Sequence, residues 1–233
     1  MNIQHRYYNC ILLLLICLRS ADIYSMDIKQ NINWPQFMSQ QDMIWERLPE
    51  YWYDSAYLGN GRLGLMIYKE PNKNYIRLET GNCDVHDHRA KRDVISGKMR
   101  LDLWNAEAST EITTTKGIIH LQTFVHADDM IIVVKATTEG DEHDFRWEWI
   151  AAEANSPRYL LFKSKGKTNK IPEGYELNPS PTNSKENEIN LSIQELLAGG
   201  ETTVGWQETK TSPQERILWI NLTHTYPQST SKK

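Results

Sequence analysis

Ile118-Ile119-His120-Leu121-Gln122-Thr123-Phe124-Val125, a polar Ala127-Asp128-Asp129 tip, and Met130-Ile131-Ile132-Val133-Val134-Lys135-Ala136 together decide the fold. Both runs are rich in β-branched residues, which suit a pleated strand. In the first, Ile119 and Leu121 alternate with His120 and Gln122, the pattern of a strand with one face buried. Two such runs joined by a short polar tip form an antiparallel hairpin.

The same period of two recurs on either side. Residues 62–68, 75–78, 99–103, 111–115, 144–151, 158–163 and 216–225 are expected as further strands. Lys116-Gly117 and Glu139-Gly140-Asp141 supply turn chemistry between them. The best helix candidate is 193–198, closed by Gly199-Gly200. Residues 164–190, rich in Lys, Asn, Ser and Pro, read as a long surface loop or an excursion between strands. Many short strands without alternating helices predict an all-β fold, a two-sheet antiparallel sandwich or supersandwich with few or no helices, over residues 43–228.

Composition narrows the function. Of the 233 residues 39% are hydrophobic and 24% charged, with 12 Gly and 9 Pro, which excludes a disordered or low-complexity chain. A net charge of −4 leaves no positive field for phosphates, so nucleic acid is not the expected partner. Eight Trp and eleven Tyr either fill a β-core or stack on flat ligand faces.

Residues 10–18 read CILLLLICL, after His5 and Arg6 and before the small residues Ala21 and Ser25. This is the pattern of a secretory signal over residues 1–25, so a secreted or periplasmic protein is expected. The apolar run is far short of the roughly 20 residues that span a bilayer, so no membrane span is expected. Residues 26–42 form a lead-in and 229–233 a polar tail. Cleavage of the leader leaves Cys83 alone among three cysteines, so no internal disulfide is available and the core must hold the fold. Asn190-Leu191-Ser192 and Asn221-Leu222-Thr223 fit the glycosylation pattern, which matters where the source cell glycosylates exported chains.

Three motifs carry candidate chemistry. Gly59-Asn60-Gly61-Arg62-Leu63-Gly64 matches a dinucleotide fingerprint in letters, but that fingerprint requires a helix after it, and Leu65-Met66-Ile67-Tyr68 continue as a strand. The glycines are read instead as a tight bend where the backbone passes close to a neighbour or ligand. Asp84, His86 and His88 share one face of a strand and could ligate a metal or contact hydroxyls. Ligands of a facial metal site usually come from more than one strand, so no metal and no cofactor are assigned. Phe145, Trp147 and Trp149 share a face opposite Arg146 and Glu148, and core packing is the preferred reading of that stripe. Trp52-Tyr53 and Trp104, near turns, are better placed for a ligand. No nucleophile elbow, zinc-protease helix or phosphate loop is present in the sequence.

Taken in order, Trp52-Tyr53, Leu58-Gly59-Asn60-Gly61-Arg62-Leu63-Gly64-Leu65-Met66, Ile76-Arg77-Leu78-Glu79 and Asp84-Val85-His86-Asp87-His88-Arg89 resemble the opening of the N-terminal domain of family 95 glycoside hydrolases, the α-L-fucosidase group. Leu101-Asp102-Leu103, Gly117, Phe124 and residues 131–135 fit the same domain's hairpins. The resemblance implies a β-supersandwich that in full-length relatives packs against a helical barrel carrying the catalytic carboxylate. No helical region that could build that barrel follows here, so no catalytic residue is assigned. The resemblance implies an exported carbohydrate-active protein, with carbohydrate and a catalytic barrel domain or subunit as partners. Asn60 and Arg62 are then candidate hydrogen-bond donors to glycan, Trp52 a stacking ring, and Asp84, His86 and His88 polar contacts. Two rival readings stand beside it: a stand-alone glycan-binding or cell-surface interaction module, and a small metalloenzyme centred on the Asp-His-His run.

Overall fold

The computed structural model describes residues 32–69, 76–80, 83–87, 94–143, 145–151 and 155–225. The expected leader, His88 and the polar tail lie outside the described residues. The described residues from Trp34 onward belong to one compact unit. The fold is all-β and antiparallel, in two sheets.

A short helix α1 (Trp34–Ser39) leads into strand β1 (Met43–Trp45). The smaller sheet follows, with β2 (Ala56–Gly59), β3 (Gly64–Lys69), β4 (Ile76–Glu79) and β5 (Cys83–Asp87), and is closed later in the chain by β10 (Trp147–Ala151). The larger sheet is a meander of β6 (Val94–Asp102), β7 (Glu107–Thr114), β8 (Gly117–Val125) and β9 (Ile131–Gly140). It is extended by β11 (Thr182–Glu186), β12 (Ile189–Glu195), β13 (Glu201–Lys210) and β14 (Glu215–Thr225). Its order is β1-β6-β7-β8-β9-β14-β13-β12-β11, and that of the smaller sheet is β10-β5-β4-β3-β2. The hairpin that opened the sequence reading is β8–β9, paired from Gly117 with Gly140 to Val125 with Ile132.

Strand alternation places the core. Ala56, Leu58, Leu65, Ile67, Ile76 and Leu78 point inward from the smaller sheet. They meet Met99, Ile112, Ile119, Leu121, Ile132 and Leu218 from the larger one. Each fully buried Leu or Ile contributes about 1.5–3 kcal/mol relative to exposure, so this layer is the main source of stability. The Phe145-Trp147-Trp149 stripe belongs to the same core. Phe145 is buried and meets Trp147 edge-on at 5.0 Å, while Arg146 and Glu148 are exposed.

Two expectations are corrected. Residues 158–163 are not a strand but lie in helix α2 (Pro157–Ser164), where Pro157 sits at the first turn and suits a helix start. Its Leu160 and Leu161 are exposed, so no buried face was available to impose a period of two. The expected helix at 193–198 is instead the end of β12 and a turn, because Ser192 and Gln194 are buried and the strand pairs on both sides, with β11 and β13. Tertiary pairing overrides the local helix signal. The expected loop at 164–190 contains a single 3-10 turn, Thr168–Lys170, and the edge strand β11.

Candidate functional site

The glycine-rich run is the β2–β3 turn. Gly59 and Gly64 pair across it, and Gly61 takes a φ of 86°, a conformation that favours glycine. The neighbour expected from the sequence is Tyr57, since a Cβ on Gly64 would lie 2.5 Å from its hydroxyl and 3.1 Å from the ring carbon that bears it. Asn60 organises the turn from within, its Oδ1 accepting hydrogen bonds from the amides of Arg62 and Leu63 at 3.0 and 2.9 Å. Its Nδ2 donates to the carbonyls of His126 and Asp129, both at 2.9 Å. The Arg62 guanidinium donates to the carbonyl of Asp128. Asn60 and Arg62 therefore fasten the smaller sheet's hairpin to the β8–β9 turn of the larger sheet. Both donor hydrogens of the Asn60 amide are used in that junction, which leaves Arg62 as the freer donor of the two.

Trp52 begins a 3-10 turn, Trp52–Asp54, and is exposed. Its ring meets Tyr53 edge-on at 5.6 Å, and Tyr53 stacks on Tyr51 at 5.1 Å. Three exposed rings in consecutive positions provide flat apolar faces of the kind that sugars stack on.

Register sets a second group of strand positions level with one another in the smaller sheet. Tyr57, Met66, Glu79 and Asp84 form one cross-strand row, and Tyr68, Arg77, His86 and Glu148 form the next. The two sequence candidates Asp84 and His86 thus occupy β5 positions level with Glu79 and Arg77. Tyr68 donates from its hydroxyl to Glu79 Oε2. Arg77 Nε is 3.7 Å from the same carboxylate oxygen, and its guanidinium lies 5.9 Å from the Tyr68 ring centroid. A carboxylate held by a phenol and a guanidinium is fixed in place.

Asn60 and Arg62 sit at a tip of the sheet's edge hairpin, whereas Asp84 and His86 lie on β5, beyond both β3 and β4. The structure thus divides the sequence candidates into a junction pair, an exposed ring and two positions on strand β5. Tyr68, Arg77, Glu79 and Glu148 were missed as site residues. Their alternation was visible in the sequence, but the register that sets them beside Asp84 and His86 was not. Among the described residues no group of three or more His, Cys, Asp and Glu is arranged to hold a metal ion. No helix among them is long and apolar enough to cross a membrane.

No protein-family model matches the chain, and no curated protein matches it. Among solved structures it is similar to a putative kojibiose phosphorylase from human microbiome, at 14% identity and a TM-score of 0.37. The likeness covers 79% of this chain but only 22% of that one, so this chain spans less than a quarter of that protein's length. At that score the likeness carries no argument about activity.

Proposed function

We propose that this chain is an exported carbohydrate-active protein: the N-terminal sandwich of a glycoside hydrolase of the α-L-fucosidase-like group, contributing glycan contacts beside a helical catalytic barrel domain or subunit. One observation carries the reading. Register in the smaller sheet sets Arg77, Glu79 and the exposed Glu148 level with the strand positions of His86 and Asp84, beside the buried Tyr68. Hydroxyl-rich ligands are held by charged and polar groups gathered in this way, with rings such as Trp52 for their apolar faces. The motif resemblance over residues 43–162 supports the same reading.

The test is binding of the purified chain to a glycan array, beside hydrolysis of aryl α-L-fucoside and related aryl glycosides. Glycan binding without turnover, weakened at least tenfold by Asp84→Asn or Arg77→Ala, is the expected result. Turnover lost on substituting Asp84 or His86 would place an active site in the sandwich and overturn the barrel-dependent role. Neither binding nor turnover, by the chain alone or with a helical barrel subunit added, would overturn the carbohydrate reading.

A further inference from the structure

The two glycosylation patterns fall on opposite faces of the larger sheet. Asn190 pairs with Trp206 and donates to its carbonyl at 3.4 Å, and Ser192 of the same pattern is buried on the inner face. Asn221 is a cross-strand partner of Gly205 and of Ile131, and it projects to the outer face with Trp219 and Thr223, all three exposed. Residues two apart on a strand stand roughly 7 Å apart on one face, within reach of one sugar ring.

Around Asn221 the outer face is hollow. Because Gly205 has no side chain, a trough of about 360 Å³ opens between Ile189, Leu191 and Trp219, with Ile131 at its side. Trp219 is 43% exposed and forms one wall. An apolar trough with an indole wall, beginning at a sequon asparagine, is shaped for a sugar attached to that asparagine.

We infer that Asn221 is the N-glycosylated residue of this protein, that its first sugar packs on Trp219 in the trough opposite Gly205, and that Asn190 carries no glycan in the folded chain. The inference rests on the export reading, since glycosyl transfer occurs in a secretory compartment. In the transfer, the bond between Asn221 Nδ2 and the anomeric carbon of a polyprenyl-diphosphate-linked oligosaccharide forms as the carbon–oxygen bond to the diphosphate breaks. The amide loses one proton and the polyprenyl diphosphate leaves. The second Nδ2 hydrogen remains, and it keeps the bond to the Met130 carbonyl, 3.0 Å away in the unmodified chain. Asn190 is half-buried on the inner face beside Trp206, so a glycan there would crowd the edge of the core.

The experiment expresses the full chain in a eukaryotic secretory cell, once with its own first 25 residues leading and once behind an independently established leader. Glycopeptide mass spectrometry of the secreted protein is expected to find sugar on Asn221 and none on Asn190. Asn221→Gln is expected to lower Tm by about 2–4 °C when residue 219 is Trp or, in Trp219→Phe, another ring. In the Trp219→Ala background the same substitution should leave Tm almost unchanged. A secreted, folded chain without sugar on Asn221, or an Asn221→Gln effect equal in all three backgrounds, would overturn the inference. Failure of export from the chain's own leader alone defeats the export reading and leaves the second expression to decide the site.

Discussion

Trp149 of β10 and Trp206 of β13 stack face to face between the two sheets, their centroids 3.8 Å apart and their planes 8° from parallel. The contact joins the last strand of the smaller sheet to the far half of the larger one. Trp149→Ala and Trp206→Ala are each expected to cost about 2–3 kcal/mol in urea unfolding, below the full core value because both rings are partly exposed. A double-mutant cycle should return about 0.5–1.5 kcal/mol of coupling, and additive losses would show that the rings contribute area rather than stacking.

The Asn60 side chain makes four hydrogen bonds, two inside its turn and two to the β8–β9 turn. Asn60→Ala should destabilise the protein by about 2–3 kcal/mol, since it leaves several backbone groups without partners. Asn60→Asp keeps the two acceptor bonds but sets a carboxylate against the carbonyls of His126 and Asp129. It should therefore be no milder, and near-native unfolding of Asn60→Asp would show that the junction contributes little.

Thr110 and Thr123 are buried on the inner face, and neither hydroxyl has a hydrogen-bond partner among the described residues. A buried, unpaired hydroxyl costs free energy that a methyl group does not. Thr110→Val and Thr123→Val should each raise stability by about 1 kcal/mol, read as a higher urea midpoint with an unchanged slope. A loss in either would reveal that its hydroxyl has a partner.

Two glycines separate rigid from yielding neighbours. A Cβ on Gly117 would lie 2.0 Å from the backbone oxygen of Glu139, while one on Gly64 meets the far end of the exposed Tyr57 side chain. Gly117→Ala should cost about 3 kcal/mol or more, and Gly64→Ala about 1 kcal/mol as Tyr57 swings aside. Comparable losses by thermal unfolding would contradict this order.

Asp102 caps the β6–β7 turn. Its Oδ1 accepts from the amides of Trp104 and Asn105 at 3.0 and 2.9 Å. The Asn105 amide is the main cause that holds its carboxyl below the ordinary value of 3.8, with further help from the Asn105 side chain and Arg100. A depressed carboxylate stabilises the fold above its unfolded value, and that contribution is lost as the pH falls through the lower, folded one. Acid unfolding of Asp102→Asn should accordingly depend less steeply on pH below about 4 than that of the native chain, and identical profiles would assign the acid sensitivity elsewhere.

The β8–β9 hairpin was legible because its alternation, polar tip and β-branched content all agree, and the same consistency made the Phe145-Trp147-Trp149 stripe readable as core. Residues 158–163 and 193–198 were misread because short apolar runs fit either period when taken alone. Of the candidate site, the glycine turn could be read, since it depends only on local geometry. The occupation of Asn60 by the β8–β9 turn could not, because its partners lie 66 and 69 residues away in sequence.

By itself the sequence determined the class of fold and which residues alternate on each strand, because side-chain direction follows from the period of the backbone. Only the tertiary structure decided which strand lies beside which and in what register, since pairing is settled by core packing between distant segments. That register sets Glu79 and Arg77 level with Asp84 and His86. It also turns Asn190 inward and Asn221 outward, although both belong to the same three-letter pattern.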